Sequence, residues 1–110
     1  MAASPTDPLA AVTLAEVLAT SDLPAGVVNI LTGRIEETVP SLAGHRDVNA
    51  LDLTGVADAE LATSLEVRAA ENLKRVLRPV PPHHDWYADP GLARMTALLE
   101  TKTVWHPKGG

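Results

Sequence analysis

Cysteine is absent from this chain of 110 residues, which excludes disulfides, thiolate metal sites and thiol nucleophiles and leaves the redox compartment open. Phenylalanine is absent as well, and aromatic residues make up only 3%, so a core has to be built from Leu, Val and Ala and will be thin. No apolar run approaches the ~20 residues of a membrane helix, and the start Met1-Ala-Ala-Ser-Pro has no basic targeting region. A cytoplasmic location with no membrane partner is the expectation. Basic residues are in deficit, giving a net charge of −5 with acids and bases interspersed; such a surface does not suit a phosphate backbone, and nucleic acid is not expected as a partner. What is present is ordinary for a water-exposed globular chain: 45% hydrophobic and 21% charged residues. A chain of this length buries roughly 65% of its unfolded surface.

The chain is organised around Leu23-Pro-Ala-Gly-Val-Val-Asn-Ile-Leu-Thr-Gly33. A Pro/Gly turn, a β-branched apolar run and a closing Gly read as a strand over 27–31 buried on both faces, the kind found in parallel sheets. Ahead of it, Asp7-Pro8 is a helix start, because an Asp side chain accepts from first-turn amides and Pro tolerates the first helical position. The helix expected over 8–21 carries Leu9, Val12, Leu14, Val17 and Leu18 on a broad apolar face and should be well covered. After Gly33 a short helix over 34–43 follows, with Glu36 and Glu37 near its positive end and Pro40 limiting its length. Residues 48–53 read as a second strand ending in the turn Thr54-Gly55. Strand, helix and strand make a right-handed crossover, so 27–31 and 48–53 are expected as adjacent parallel strands.

From Asp58 a helix runs with Leu61, Leu65, Ala69, Leu73 and Val76 in register and Glu66, Arg68, Glu71 and Lys74 opposite them. Arg78-Pro-Val-Pro-Pro-His-His-Asp ends it, since Pro79, Pro81 and Pro82 remove donors and favour an extended path. Asp89-Pro90 repeats the helix start, with Leu92, Met95, Leu98 and Leu99 on one face. Residues 101–105 then have strand character, stopped by Pro107, Gly109 and Gly110. The stiff proline stretch is expected to hold the last helix and strand away from the first sheet. The expected organisation is residues 1–78 as an α/β domain, 79–88 as a proline-rich linker and 89–110 as a terminal helix and strand.

Two stretches carry a family resemblance. Pro8-Leu-Ala-Ala-Val-Thr-Leu-Ala-Glu-Val-Leu with Asp22-Leu-Pro-Ala-Gly-Val-Val-Asn-Ile-Leu-Thr-Gly33 resembles the helix-turn-strand of the nicotinamide-binding domain of aldehyde dehydrogenases. Leu99-Glu-Thr-Lys-Thr-Val-Trp-His-Pro looks like the carboxyl-terminal strand of the same family, which lies in its oligomerisation element. The resemblance implies an α/β fold, a partial doubly wound, Rossmann-like parallel sheet with flanking helices and a separate C-terminal helix-strand tail. In the family a whole catalytic domain separates the Thr-Gly turn from this tail; here only a helix and the proline stretch intervene.

The family's chemistry requires a cysteine thiolate, an Asn that stabilises the oxyanion and a Glu base. No cysteine is present, Asn49 and Asn72 sit beside no nucleophile, and Glu60, Glu66 and Glu71 have the simpler reading of a solvated helix face. No catalytic residue is therefore assigned, and the chain alone is expected to be inactive toward aldehydes. In open parallel sheets ligands sit beyond the carboxyl ends of the strands, where Gly33, Thr54 and Gly55 stand as candidate cofactor-binding residues. Two departures weaken that reading: the family's Ser after Thr-Gly is Val56 here, and its ribose-binding Lys aligns near Ala2. No cofactor is required, and NAD(P) is expected to bind weakly or not at all; plain turn glycines are the alternative for Gly33 and Gly55.

His83-His84-Asp85 lacks a third ligand at metal spacing and reads as a surface loop, so no metal is expected. Thr101, Lys102, Thr103, Val104 and Trp105 are the candidate oligomerisation strand, whose edge would pair with a neighbour. Two functions follow. One is a non-catalytic assembly or scaffold subunit, free-standing or part of a longer chain, forming a homo-oligomer or a hetero-assembly with a related aldehyde dehydrogenase. The other is the dinucleotide-binding part of an NAD(P)-dependent aldehyde oxidoreductase completed by another chain or by a further part of its own.

Overall fold

The computed structural model describes residues 1–81 and 83–106; the expectations for Pro82, Pro107, Gly109 and Gly110 fall outside them. The chain divides into two compact units, residues 1–48 and the part from Asn49 onward.

In the first unit, helix α1 (Leu9–Ala19) forms where the apolar repeat places it. Its start differs in chemistry from the expectation. Pro8 is the N-cap and no side chain caps the helix, while the Asp7 amide donates to Ser4 Oγ at 3.3 Å. Its end is chemically clear: Thr20 Oγ1 donates to the Glu16 and Val17 carbonyls at 3.1 Å each, and Ser21 Oγ donates to the Leu18 carbonyl at 2.8 Å. The Glu16 and Leu18 carbonyls also accept from the Thr20 and Ser21 amides at 3.2 and 3.3 Å, so the hydroxyls reinforce the last turn and supply the Val17 carbonyl with a donor. None of α1 is buried, and Leu9 is 72% exposed, which corrects the expectation of a well-covered helix. Helix α2 (Ile35–Gly44) contains Pro40 without breaking, and Arg34 Nε meets Glu37 Oε1 at 3.1 Å at its start.

Between them, residues 27–31 do not form a strand. Only Leu31 is paired, through a parallel bridge to Ala2 in which the Ala3 amide donates to the Leu31 carbonyl and the Leu31 amide to the Met1 carbonyl, both at 2.9 Å. Val27, Val28 and Leu31 are exposed. A strand is buried on two faces only when neighbours flank it and helices cover it; a one-residue bridge provides neither.

The second unit holds the two-stranded parallel sheet. Strand β1 (Ala50–Asp52), helix α3 (Ala59–Ala70) and strand β2 (Arg75–Leu77) form a βαβ unit in which β1 pairs with β2 in the register Ala50↔Arg75, Leu51↔Val76, Asp52↔Leu77. The parallel neighbour of β1 is thus the strand after it, not residues 27–31 as expected. The ladder continues at both ends, with the Leu53 amide donating to the Leu77 carbonyl at 2.9 Å and the Arg75 amide to the Asn49 carbonyl at 3.1 Å.

Asp58 caps α3, its Oδ1 accepting from the Glu60 and Leu61 amides at 2.8 and 3.1 Å. Helix α3 packs against β2 and buries Ala62, Leu65 and Ala69, while Leu51 and Leu53 are buried from the β1 side. The helix does not run on to Val76 as the repeat predicts. It closes in a Schellman motif: the Lys74 amide reaches the Ala69 carbonyl at 3.1 Å, the Leu73 amide reaches the Ala70 carbonyl at 3.3 Å, and Leu73 takes φ +56°. That reversal frees residues 75–77 for the sheet.

After the proline stretch comes helix α4 (Gly91–Thr96). Residues 101–105, expected as a strand, have no regular secondary structure in the single chain and are exposed. A strand needs a ladder partner, and no backbone hydrogen bond joins these residues to another described residue.

Candidate functional site

The turn at the carboxyl end of β1 is built by its own acid. Asp52 Oδ1 accepts from the Thr54 amide at 2.9 Å, an Asx turn, and the Val56 amide donates to the Leu53 carbonyl at 2.9 Å to close Leu53-Thr54-Gly55-Val56. Thr54 Oγ1 accepts from Arg94 Nη2 at 2.9 Å, and the same nitrogen lies 3.4 Å from Asp52 Oδ2. The Asp52 and Arg94 side chains are 37% and 34% exposed, so the pair is half in water and its attraction is screened. The Arg94 guanidinium carbon lies 5.4 Å from the centroid of the Trp86 ring, within cation–π range. His84 meets that ring edge-on, with centroids 4.6 Å apart.

The candidate cofactor residues therefore separate. Thr54 and Gly55 share this turn, whereas Gly33 belongs to the other unit, in the segment between Leu31 and α2, with φ +135°. At Gly33 the backbone itself calls for glycine. Gly55 is outside the left-handed region, and a Cβ there would meet no atom within 4 Å. The contact of Arg94 with Thr54 also corrects the expectation that the proline stretch holds the last helix away from the sheet strand: α4 is tied to the end of β1. Asp52 and Arg94 were not among the sequence candidates. The spacing of Asp52 and Thr54 is a recognisable Asx signal; a contact over 40 residues to Arg94 has no local signal.

Two grooves of about 360 Å³ each accompany these features. One lies within the first unit against Leu18, Leu23, Val28 and Ile30, and none of its lining residues is titratable or nucleophilic. The other lies in the second unit beside Val56 and Thr63, where Arg78 Nη2 and Glu66 Oε2 pair at 3.0 Å and satisfy one another. No group of three or more potential His, Cys, Asp or Glu ligands occurs among the described residues, and His83, His84 and Asp85 are exposed. No helix among the described residues is long and apolar enough to cross a membrane. The candidate oligomerisation residues Thr101, Lys102, Thr103, Val104 and Trp105 are solvent-facing, with Trp105 88% exposed.

A parallel βαβ unit with a Thr-Gly turn at the carboxyl end of its first strand defines a partial α/β protein. Residues 1–79 match the model of the aldehyde dehydrogenase family, and the chain belongs to that family. A Bacillus subtilis (strain 168) protein named "Putative aldehyde dehydrogenase DhaS" is 36% identical over 69 residues, which make up 63% of this chain and 14% of that protein. The chain thus spans a small part of the length of this relative. No solved structure matches it.

Proposed function

We propose that the chain is an aldehyde-dehydrogenase-family element that performs no aldehyde chemistry by itself and works in assembly, docking onto a second copy or a related aldehyde dehydrogenase. In this reading the β1-α3-β2 unit is a portion of a doubly wound, Rossmann-like sheet. The observation that carries it is the closed turn after β1. Asp52 takes the Thr54 amide, so one donor a dinucleotide phosphate would need is already engaged, and the same carboxylate, 3.4 Å from Arg94, puts negative charge at the lip where an anion would sit. The complete lack of cysteine removes the family's nucleophile from this chain.

Support for assembly comes from two surfaces. An 11-residue helix with no buried residue has little intrinsic stability in water, and covering the apolar side chains of α1 would stabilise it. Residues 101–105 offer an open backbone that suits β-augmentation by a partner strand. The expected state in solution is a multimer of the 11.6 kDa chain or a complex with a related enzyme. Val104→Pro removes one ladder donor and should shift size-exclusion light scattering toward the monomer mass with helical circular dichroism retained. Identical masses for variant and parent would refute the role of this stretch.

One feature favours the second reading, a dinucleotide-binding part completed elsewhere. Gly55 has neither a left-handed φ nor a neighbour that a Cβ would strike, so close approach of a ligand would supply the reason for glycine there. Calorimetric titration with NAD that shows a millimolar or tighter site, lost in Gly55→Val, would select this reading.

A further inference from the structure

We propose that residues 84–96 form a strap tied to the carboxyl end of β1 by Arg94, and that its release frees the Thr54 hydroxyl and the Asp52 carboxylate from the guanidinium. The proposal concerns residues beyond the family match and stands whether or not the turn takes a ligand.

The strap has a defined path. The His84 amide donates to the Pro81 carbonyl at 3.0 Å, the Tyr87 amide to Asp85 Oδ1 at 2.9 Å, and the Gly91 amide to Asp89 Oδ1 at 2.9 Å. Two Asx turns in succession thus guide the chain into α4, and Gly91 makes the last bend at φ +61°, a conformation that disfavours a side chain. This path delivers Arg94 to Thr54 Oγ1 and Asp52, with Trp86 against the guanidinium and His84 against Trp86.

Polar contacts dominate the docking. Helix α4 buries none of its residues, and Leu92 and Met95 face water, so the apolar contribution that ordinarily fixes a helix is small here. A segment with few buried apolar contacts opens locally at a free energy well below that of global unfolding. Loss of the Arg94 cluster is then enough to release it while β1, β2 and α3 keep their own core.

The test compares amide hydrogen exchange of the full chain with that of Arg94→Ala, Arg94→Lys and Gly91→Ala. It adds acrylamide quenching of Trp86 in a Trp105→Phe background, where Trp86 is the single tryptophan. Arg94→Ala should speed exchange across residues 91–97 about tenfold or more and raise Trp86 quenching, with exchange in α3 unchanged. Arg94→Lys keeps the charge without the planar fork and should fall between parent and Arg94→Ala. Gly91→Ala leaves Arg94 in place and should loosen the strap through its backbone. If Arg94→Ala leaves both readouts at the parent values, Arg94 does not hold the segment; if exchange in α3 rises equally, the segment is part of the core and no strap exists.

Discussion

Residues 27–31 and residues 50–53 are both short apolar stretches followed by Thr-Gly, yet they end in opposite states. The first is mostly exposed and meets the start of the chain through the Ala2–Leu31 bridge and a bond from the Met1 ammonium to the Asn29 carbonyl at 2.6 Å, with no ladder. The second is in a parallel ladder with Leu51 and Leu53 buried. The more β-branched stretch is the one without a sheet. Local pattern makes a segment fit to be a strand, but pairing requires a second strand at the right chain distance. Residues 75–77 supply it for β1, and α3 supplies the cover. The second unit thereby carries its own small core, whereas the first has α1 with a bare apolar face.

Several substitutions sharpen this contrast. Leu65 is fully buried on α3, so Leu65→Ala should lower stability by about 2–5 kcal/mol in urea titration followed by circular dichroism. Leu14→Ala on α1, where the side chain is exposed, should change it by less than about 0.5 kcal/mol. Equal effects would mean that α1 is covered in the protein as studied, most simply by assembly, and repeating the titration at higher dilution would expose this. The helix starts differ in the same direction. Asp58→Ala removes a cap with two amide bonds and should cost about 1 kcal/mol, while Asp7→Ala, whose carboxylate makes no cap bond, should lie within a few tenths. One effect has the opposite sign. Leu73 is 91% exposed and adopts φ +56°, so Leu73→Gly should raise stability by about 0.5–1 kcal/mol; a loss would show that Leu73 contributes packing in an assembly.

Helix positions were legible where a residue marks them. Asp58 announces α3, Pro40 is tolerated in a short α2, and the repeat from Leu9 to Leu18 locates α1. The end of α3 was hidden because Leu73 and Val76 continue the helical spacing and the position that ends helices with Gly holds a Leu. Strand β2 was hidden with it, and so was the partner of β1. In the site, Thr54 and Gly55 were readable as a turn beyond a strand. Their engagement by Arg94 was not, because it depends on the return of the chain after the proline stretch. The tail's open edge was readable as a β-prone segment; its state in the single chain follows from the lack of a ladder partner, which no local pattern encodes.

The chain belongs to the aldehyde dehydrogenase family, and we propose that it performs no aldehyde chemistry by itself. The most direct measurement is the aldehyde-dependent reduction of NAD and NADP by the purified chain, followed by absorbance against a heat-denatured control, across short and aromatic aldehydes. With no thiol to form the covalent intermediate, the expected result is no reduction above the control for any aldehyde with either cofactor. Sustained reduction that scales with protein concentration would contradict it.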